Sequence, residues 1–285
     1  MFWAAKVKPK VKPKVGQEAG VSYDDRGYVS EQYRSASNLG ARVALHGRFS
    51  TNGYPWQRWV FDGFDLPAEA RILEVGCGPG NLWAENLDRL PGGWNVTLTD
   101  ASPGMIRESR DRLDDERFRC RLADAQELPF EGGAFDAAIA NHVLYHVPDR
   151  GRAVSEMSRV LGPAGVLYAS TNGRDHNREM GRMLRVLFPA RPDNDYHQAG
   201  IGFSLENGAE QLSRRFSSVS CRRRKDSLFV TEVRPLVYYL LSGTAAHAAG
   251  HDGGVTGLTR SLERELALRG GIRVTKDTGM FVARR

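Results

Sequence analysis

The sequence predicts an α/β fold, a mostly parallel sheet with helices on both faces. Three observations carry this expectation. Between Arg71 and Thr171 short apolar stretches alternate with helix-forming ones, the pattern of right-handed β–α–β units. Phe135–Ala140 is apolar almost throughout, as expected of a strand buried on both faces. The first apolar stretch runs directly into a glycine-rich turn and then a helix-forming segment.

The 285 residues divide into five segments. Residues 1–20 form a basic tail with the repeat Val-Lys-Pro-Lys at Val7–Lys10 and Val11–Lys14. Proline at positions 9 and 13 excludes a helix and favours extended backbone. The tail reads as a solubilising end, or as a segment that docks on a neighbouring subunit through Met1-Phe2-Trp3, whose aromatics seek burial. Residues 21–68 form a helical arm. Tyr33, Leu39, Val43 and Leu45 share a helical face within 28–48, and Tyr54-Pro55-Trp56 opens a short helix carrying Trp59, Val60 and Phe61. Residues 69–173 form the α/β core. Its expected strands are Ile72–Val75, Trp94–Thr99, Phe118–Leu122, Phe135–Ala140 and Gly165–Thr171. Its helices run from the glycine turn to about Leu90, from Ser102 to Leu113 and from Arg150 to Leu161. Residues 174–216 interrupt the alternation with amphipathic helices at 174–188 and 204–216, and read as a helical substrate cap. Residues 217–285 complete the sheet. Strands are expected at Ser218–Arg224 and Ser227–Thr231, and helices at 232–242 and 255–269. A hairpin-like end follows, in which Ile272–Val274 and Met280–Val282 flank the turn Asp277-Thr278-Gly279.

Charge and composition narrow the function. The net charge is +6, but residues 1–20 hold five lysines against one glutamate and so account for +4 of it. The body is nearly neutral and carries no nucleic-acid footprint; no nucleic-acid partner is expected. The run Arg222-Arg223-Arg224-Lys225 reads as the solvated face of an edge strand, where charge blunts aggregation. No apolar run approaches the ~20 residues that span a bilayer, and no secretory leader is visible at the N-terminus. A cytoplasmic protein with no membrane partner is expected. Cys77, Cys120 and Cys221 form no C-x-x-C pair, which excludes a disulfide scaffold and argues against a metal.

The chemistry concentrates at strand ends. Glu74-Val75-Gly76-Cys77-Gly78-Pro79-Gly80 follows the first strand and opens a helix. Its glycines let a ligand approach the backbone, and the helix N-terminus offers unpaired N–H groups. Tight strand-to-helix turns need glycine on their own account, so the loop alone is a weak signal. Asp100 ends the second strand, 20 residues beyond Gly80, where an acid meets ribose hydroxyls. Asp124, followed by Ala125, ends the third and can face an adenine amino group. Three acids in register at three strand ends point to a nucleoside ligand. The loop is G-x-G-x-G with Asn81 where a dinucleotide fingerprint has its third glycine, and no Lys-Ser/Thr pair follows. A ligand without a phosphate fits such a loop.

Glu74–Gly80, Asp100–Met105, Asp124-Ala125 and Asn141-His142 resemble the successive motifs of class I S-adenosylmethionine (SAM) methyltransferases over residues 70–172. Leu128-Pro129-Phe130, Phe135-Asp136 and Val160–Leu167 resemble the UbiE-like branch, which includes quinone C-methyltransferases. The arm from Ser37 to Asn52 is similar to that of bacterial enzymes that tailor natural products. The resemblance implies a Rossmann-like seven-stranded sheet and SAM as cofactor, with S-adenosylhomocysteine as product. It implies that Glu74, Gly76, Cys77, Gly78 and Gly80 wrap the methionine and ribose portion, that Asp100 with Ala101 holds the ribose, that Asp124 and Ala125 hold the adenine, and that Met105 flanks the ring. Asn141 and His142 would lie near the methyl group.

Methyl transfer from a sulfonium is an in-line displacement, and alignment supplies potentially ~7–11 kcal/mol of the barrier. A base is needed only where the acceptor must lose a proton. His142, Tyr145 and His146 are the catalytic candidates, imidazole being suited to proton transfer near neutrality; His146 reads equally as a packing residue. Tyr23, Tyr28, Tyr145, Phe188, Tyr196 and Phe203 are the substrate-binding candidates, since aromatic faces stabilise a cation formed on an alkene acceptor. For each the alternative is ordinary core packing. The expected partner is a small-molecule acceptor, a secondary metabolite with an electron-rich prenyl or aromatic carbon ahead of an oxygen or nitrogen acceptor, and an RNA acceptor comes last. A homo-oligomer to which the N-terminal arm contributes is also expected.

Overall fold

The computed structural model describes residues 44–187, 202–241 and 252–285. After a helical segment at 44–49 come α1 (Trp56–Phe61), β1 (Glu69–Val75), α2 (Asn81–Ala84), β2 (Gly93–Asp100), α3 (Pro103–Arg112), β3 (Phe118–Leu122) and β4 (Phe135–Asn141). The chain continues through α4 (Arg150–Val160), β5 (Leu161–Asn172), α5 (Arg178–Leu187), α6 (Gly208–Ser213), β6 (Ser218–Val230), α7 (Val233–Leu241), α8 (Asp252–Arg269) and β7 (Ile272–Arg284).

The seven strands form one sheet in the order β3-β2-β1-β4-β5-β7-β6. β1 to β5 pair in parallel, and β7 runs antiparallel to both β5 and β6. The order reverses between β1 and β4. This is the switch point at which open α/β sheets bind ligands beyond the carboxyl ends of their strands. Ile72, Leu73, Ala137, Ala138, Leu167 and Ala169 are all fully buried, which explains the unbroken apolar runs.

Three departures from the expected elements have local causes. The helix expected to reach Leu90 stops at Ala84 and is followed by a 3-10 turn at Leu87–Arg89. The buried Asn86 side chain interrupts it by donating to the carbonyls of Leu82 (2.6 Å) and Gln57 (3.2 Å). Ser218–Val230 is one strand rather than two, because its partner is also continuous. That partner is the largest correction. Asp277-Thr278-Gly279 is not a hairpin turn; β7 runs straight through it. Gly279 serves close approach instead, since a Cβ there would lie 2.7 Å from the Arg222 carbonyl oxygen.

β6 and β7 thereby outrun the rest of the sheet. β5 pairs with β7 only from Asn172↔Thr278 to Val166↔Arg284, whereas β6 follows β7 to Val230↔Ile272. A two-stranded ribbon is marginal alone, and helices cover this one. Leu228, Val230, Ile272 and Val274 pack with Met180 and Leu184 of α5, Leu236 and Tyr239 of α7, Leu258 and Leu262 of α8, and Leu45 and Phe49. Of residues 174–216, α5 therefore joins the helices over the ribbon. Phe203, Leu205, Leu212 and Phe216 instead pack with the α4 side of the sheet. α1 lies on the opposite face, where Val60 meets Ile72, Tyr168 and Met280.

Candidate active site

Three glycines of the loop after β1 have left-handed backbone: Gly76 (φ 70°), Gly78 (φ 55°) and Gly80 (φ 74°). A Cβ at Gly76 would strike Val143 at 2.3 Å, and one at Gly80 would strike Leu113 at 2.7 Å. At Gly78 a Cβ would meet nothing within 4 Å. Two glycines are thus needed for packing, and the middle one faces open space. The loop is tied to β2 by Gly76 N–H and Cys77 N–H, which both donate to the Thr99 carbonyl (2.8 and 2.9 Å).

Asp100 joins the two loops. Its Oδ2 accepts from Gly78 N–H (3.0 Å) and its Oδ1 from Ser102 N–H (2.8 Å). Ala101 N–H adds a third donor, and a carboxylate with about four acceptor sites keeps capacity for a ligand hydroxyl. Burial pushes its pKa up despite these N–H donors. Ser102 caps α3 through Met105 N–H. Glu74 is buried beneath the loop and accepts from Trp83 Nε1–H at 2.6 Å. Burial raises its pKa to about 8 against the Trp83 hydrogen bond, and Asp100 adds to the rise. The Cys77 thiol is buried and its pKa is likewise pushed up, so it is a packing group, not a nucleophile. Met105 is buried under the first turn of α3, Ala101 is exposed, and Ala125 is buried. Asp124 organises its own loop by accepting from Gln126 N–H and Nε2–H, both at 2.9 Å. A ribose-bearing, phosphate-free group fits this set: an open glycine, a carboxylate with spare acceptor capacity, and a second acid one strand further out.

The end of β4 carries the rest. Asn141 Oδ1 accepts from Ser170 Oγ–H (2.5 Å) and Trp56 Nε1–H (3.3 Å), while its Nδ2 donates to Gln57 Oε1 (2.9 Å). His142 has φ 58°, and its N–H donates to Ser170. Its ring centroid lies 5.0 Å from that of Trp56 and 6.1 Å from that of Tyr145, which is 4.4 Å from His146. The three catalytic candidates thus form one aromatic row beside α1. Burial, with His146 and Lys276 nearby, lowers the His142 pKa to about 4, so its imidazole is neutral at pH 7.

The substrate candidates are placed differently. Phe203 is fully buried against Phe281 (centroids 5.8 Å apart), and its carbonyl accepts from Thr171 Oγ1–H; it is a core residue, not a lining one. Tyr23, Tyr28, Phe188 and Tyr196 lie outside the described residues. Sequence reasoning missed Trp56, Gln57 and Ser170, which hold Asn141 and His142. The basic run lies on an edge strand with Arg222, Arg223 and Lys225 exposed, and Arg224 alone departs from the solvated face expected for it. Arg222 lies over Trp59 (5.6 Å), Arg223 pairs with Glu206 (2.9 Å) and Asp277, and Arg224 is buried against Trp56. The period-two alternation of a strand separates these arginines, and that was the available signal.

Comparison with known proteins agrees with this geometry. Residues 73–169 match the methyltransferase domain family. The chain is 32% identical over 114 residues to the ubiquinone/menaquinone biosynthesis C-methyltransferase UbiE of Idiomarina loihiensis, covering 39% of this chain and 45% of that protein. It is 32% identical over 169 residues to the trans-aconitate 2-methyltransferase of Variovorax paradoxus, covering 59% and 55%. The chain spans about half the length of the curated relatives it matches. The phosphoethanolamine N-methyltransferase 2 of Haemonchus contortus, solved with S-adenosyl-L-methionine, has the same fold: TM-score 0.58 at 17% identity, over 93% of this chain and 60% of that one. Over residues 73–169 the chain is thus similar to a methyltransferase domain, on a fold it shares with a SAM-bound methyltransferase.

Proposed function

We propose that this protein transfers a methyl group from SAM to a small-molecule acceptor. The observation that carries the reading is Gly78: left-handed, open in front, and hydrogen-bonded to an Asp100 carboxylate with acceptor capacity to spare. SAM when bound supplies an electrophilic methyl group. Gly76, Gly78 and Gly80 would line its methionine and ribose portion, Asp100 its ribose, and Asp124 with Ala125 its adenine. Asn141, fixed by three side chains, orients the β4 end. The neutral His142 can accept a hydrogen bond from an oxygen or nitrogen acceptor, and its pKa of about 4 makes it a weak base for that proton. Trp56, Tyr145 and His142 offer π faces beside a carbon acceptor that becomes cationic.

Relatives that include a quinone C-methyltransferase and an acid methyltransferase support the reaction without fixing the acceptor atom. We favour an electron-rich prenyl or aromatic carbon of a secondary metabolite, with oxygen or nitrogen second. Cytoplasmic placement, self-association through the N-terminal arm and an acceptor other than nucleic acid belong to the same proposal. Among the described residues no helix is long and apolar enough to cross a membrane. The first test is thermal unfolding with S-adenosylhomocysteine, NAD and ATP. A rise with S-adenosylhomocysteine alone supports the reading, and a rise with NAD instead overturns it. Light scattering with and without residues 1–20 tests the oligomer: an unchanged mass removes the tail from it.

A further inference from the structure

One cation near the site has no hydrogen-bonded counter-charge among the described residues. Arg224 is 6% exposed, and its guanidinium lies over the Trp56 ring at 5.8 Å. Nη2 donates to the Tyr54 carbonyl. Nε and Nη1 are buried and have no hydrogen-bond partner among the described residues. Donors on both edges of the guanidinium therefore face no acceptor, although a guanidinium stays charged in proteins and an unsatisfied buried charge is costly.

The neighbouring carboxylate is already engaged. Asp226, two residues along the same strand face, is wholly buried and bonds Lys276, Ser50 Oγ–H and Asn52 N–H. Asp277 is on the other face with Arg223, and Glu179 accepts from Thr275 and Arg178. Two cations thus share one carboxylate. Register places Thr278 opposite Arg224 on the same face, and its Oγ1 is also buried without a hydrogen-bond partner among the described residues. Register further places Asn172, Ser170 and Asn141 on that face, leading to the β4 end. His142 lies 5.0 Å from the same Trp56 ring that Arg224 covers.

We propose that Arg224, with Thr278, binds a carboxylate of the methyl acceptor, so that the substrate is a small organic acid. The proposal rests on the methyltransferase reading above and deepens it. Arg224 is then a binding residue. It holds the acid beside the Trp56 ring that His142 also contacts, with the rest of the acceptor toward the β4 end. An arginine suits a planar two-oxygen anion better than a lysine would.

The test uses the full chain saturated with S-adenosylhomocysteine and two matched probe pairs, benzoate with benzamide and hexanoate with hexanamide. Thermal unfolding and quenching of tryptophan fluorescence report binding. At least one carboxylate should bind tenfold or more tighter than its amide. Arg224→Gln, which removes the charge and the planar fork, should erase that preference and keep the response to S-adenosylhomocysteine. Arg224→Lys, which keeps the charge without the planar fork, should retain part of it. If no carboxylate is preferred, or the preference survives Arg224→Gln, the proposal is overturned while the methyltransferase reading stands. If wild-type protein does not respond to S-adenosylhomocysteine, the methyltransferase reading falls and takes this one with it.

Discussion

Acid acts in opposite senses on two ionisable groups of the site, Glu74 and His142. In the folded protein Glu74 keeps its proton up to about pH 8, whereas in the unfolded chain it titrates near its ordinary value of 4.5. The folded state then binds more protons between these values, and this group's contribution to stability falls as pH rises through that window. Glu74→Gln, which can still accept from Trp83, should flatten the decline in unfolding temperature between pH 5 and 8. His142 stays neutral down to about pH 4, against an ordinary 6.5. The unfolded chain takes up that proton first, so stability is lost as pH falls from 6.5 toward 4. Its imidazole resonances in an NMR titration should show no midpoint above pH 5. The glycines separate in the same residue-by-residue way. Gly78→Ala should weaken S-adenosylhomocysteine binding at least tenfold and cost about 1–2 kcal/mol for its left-handed backbone, with no clash inside the protein. Gly76→Ala and Gly80→Ala must also displace Val143 or Leu113, and should lose more stability than Gly78→Ala. Calorimetric titration and denaturant unfolding of the three variants check this ordering.

At the scale of elements, the β6–β7 ribbon links the sheet to the helices that cover it. Its buried pair is Asp226 with Lys276, whose side chains are 0% and 9% exposed. Lys276→Met leaves the Asp226 carboxylate without its ion-pair partner, with only Ser50, Asn52 and the more distant Arg224 charge, and should cost about 3–5 kcal/mol in denaturant unfolding, because removing one partner of a buried pair exposes much of the desolvation penalty of the other. The double variant Lys276→Met with Asp226→Leu should recover much of that loss. If the single variant is no less stable than wild type, the pair is not what fixes the ribbon. The ribbon was also the part of the fold least legible in the sequence. Strands β1, β2, β4 and β5 announced themselves because each buries an apolar run of its own. Asp277-Thr278-Gly279 has the composition of a turn, and only the carbonyl of Arg222 across the ladder shows why a glycine stands there inside a strand.

Across the whole molecule, what was legible depended on sequence distance. Glu74, Gly78 and Asp100 could be read because the β–α repeat places successive strand ends side by side. Trp56, Gln57 and Arg224 could not, since they reach the β4 end from the arm and from β6, 80 or more residues away from Asn141 and His142. A ligand held between β1, β2 and β4 touches the centre of the sheet, where both of its packed faces meet. Its binding energy should therefore appear as global stability. S-adenosylhomocysteine at about 100 times its dissociation constant should add ~2.7 kcal/mol, and at roughly 2–4 °C per kcal/mol for a chain somewhat smaller than this one the unfolding temperature should rise by roughly 5–10 °C. The cluster over the ribbon shares few residues with that centre. Differential scanning calorimetry distinguishes the two arrangements. One transition that moves as a whole shows that sheet and ribbon helices unfold together. Two transitions of which only the upper one moves would show that those helices open independently of the cofactor site, and the expectation of a single cooperative unit would be wrong.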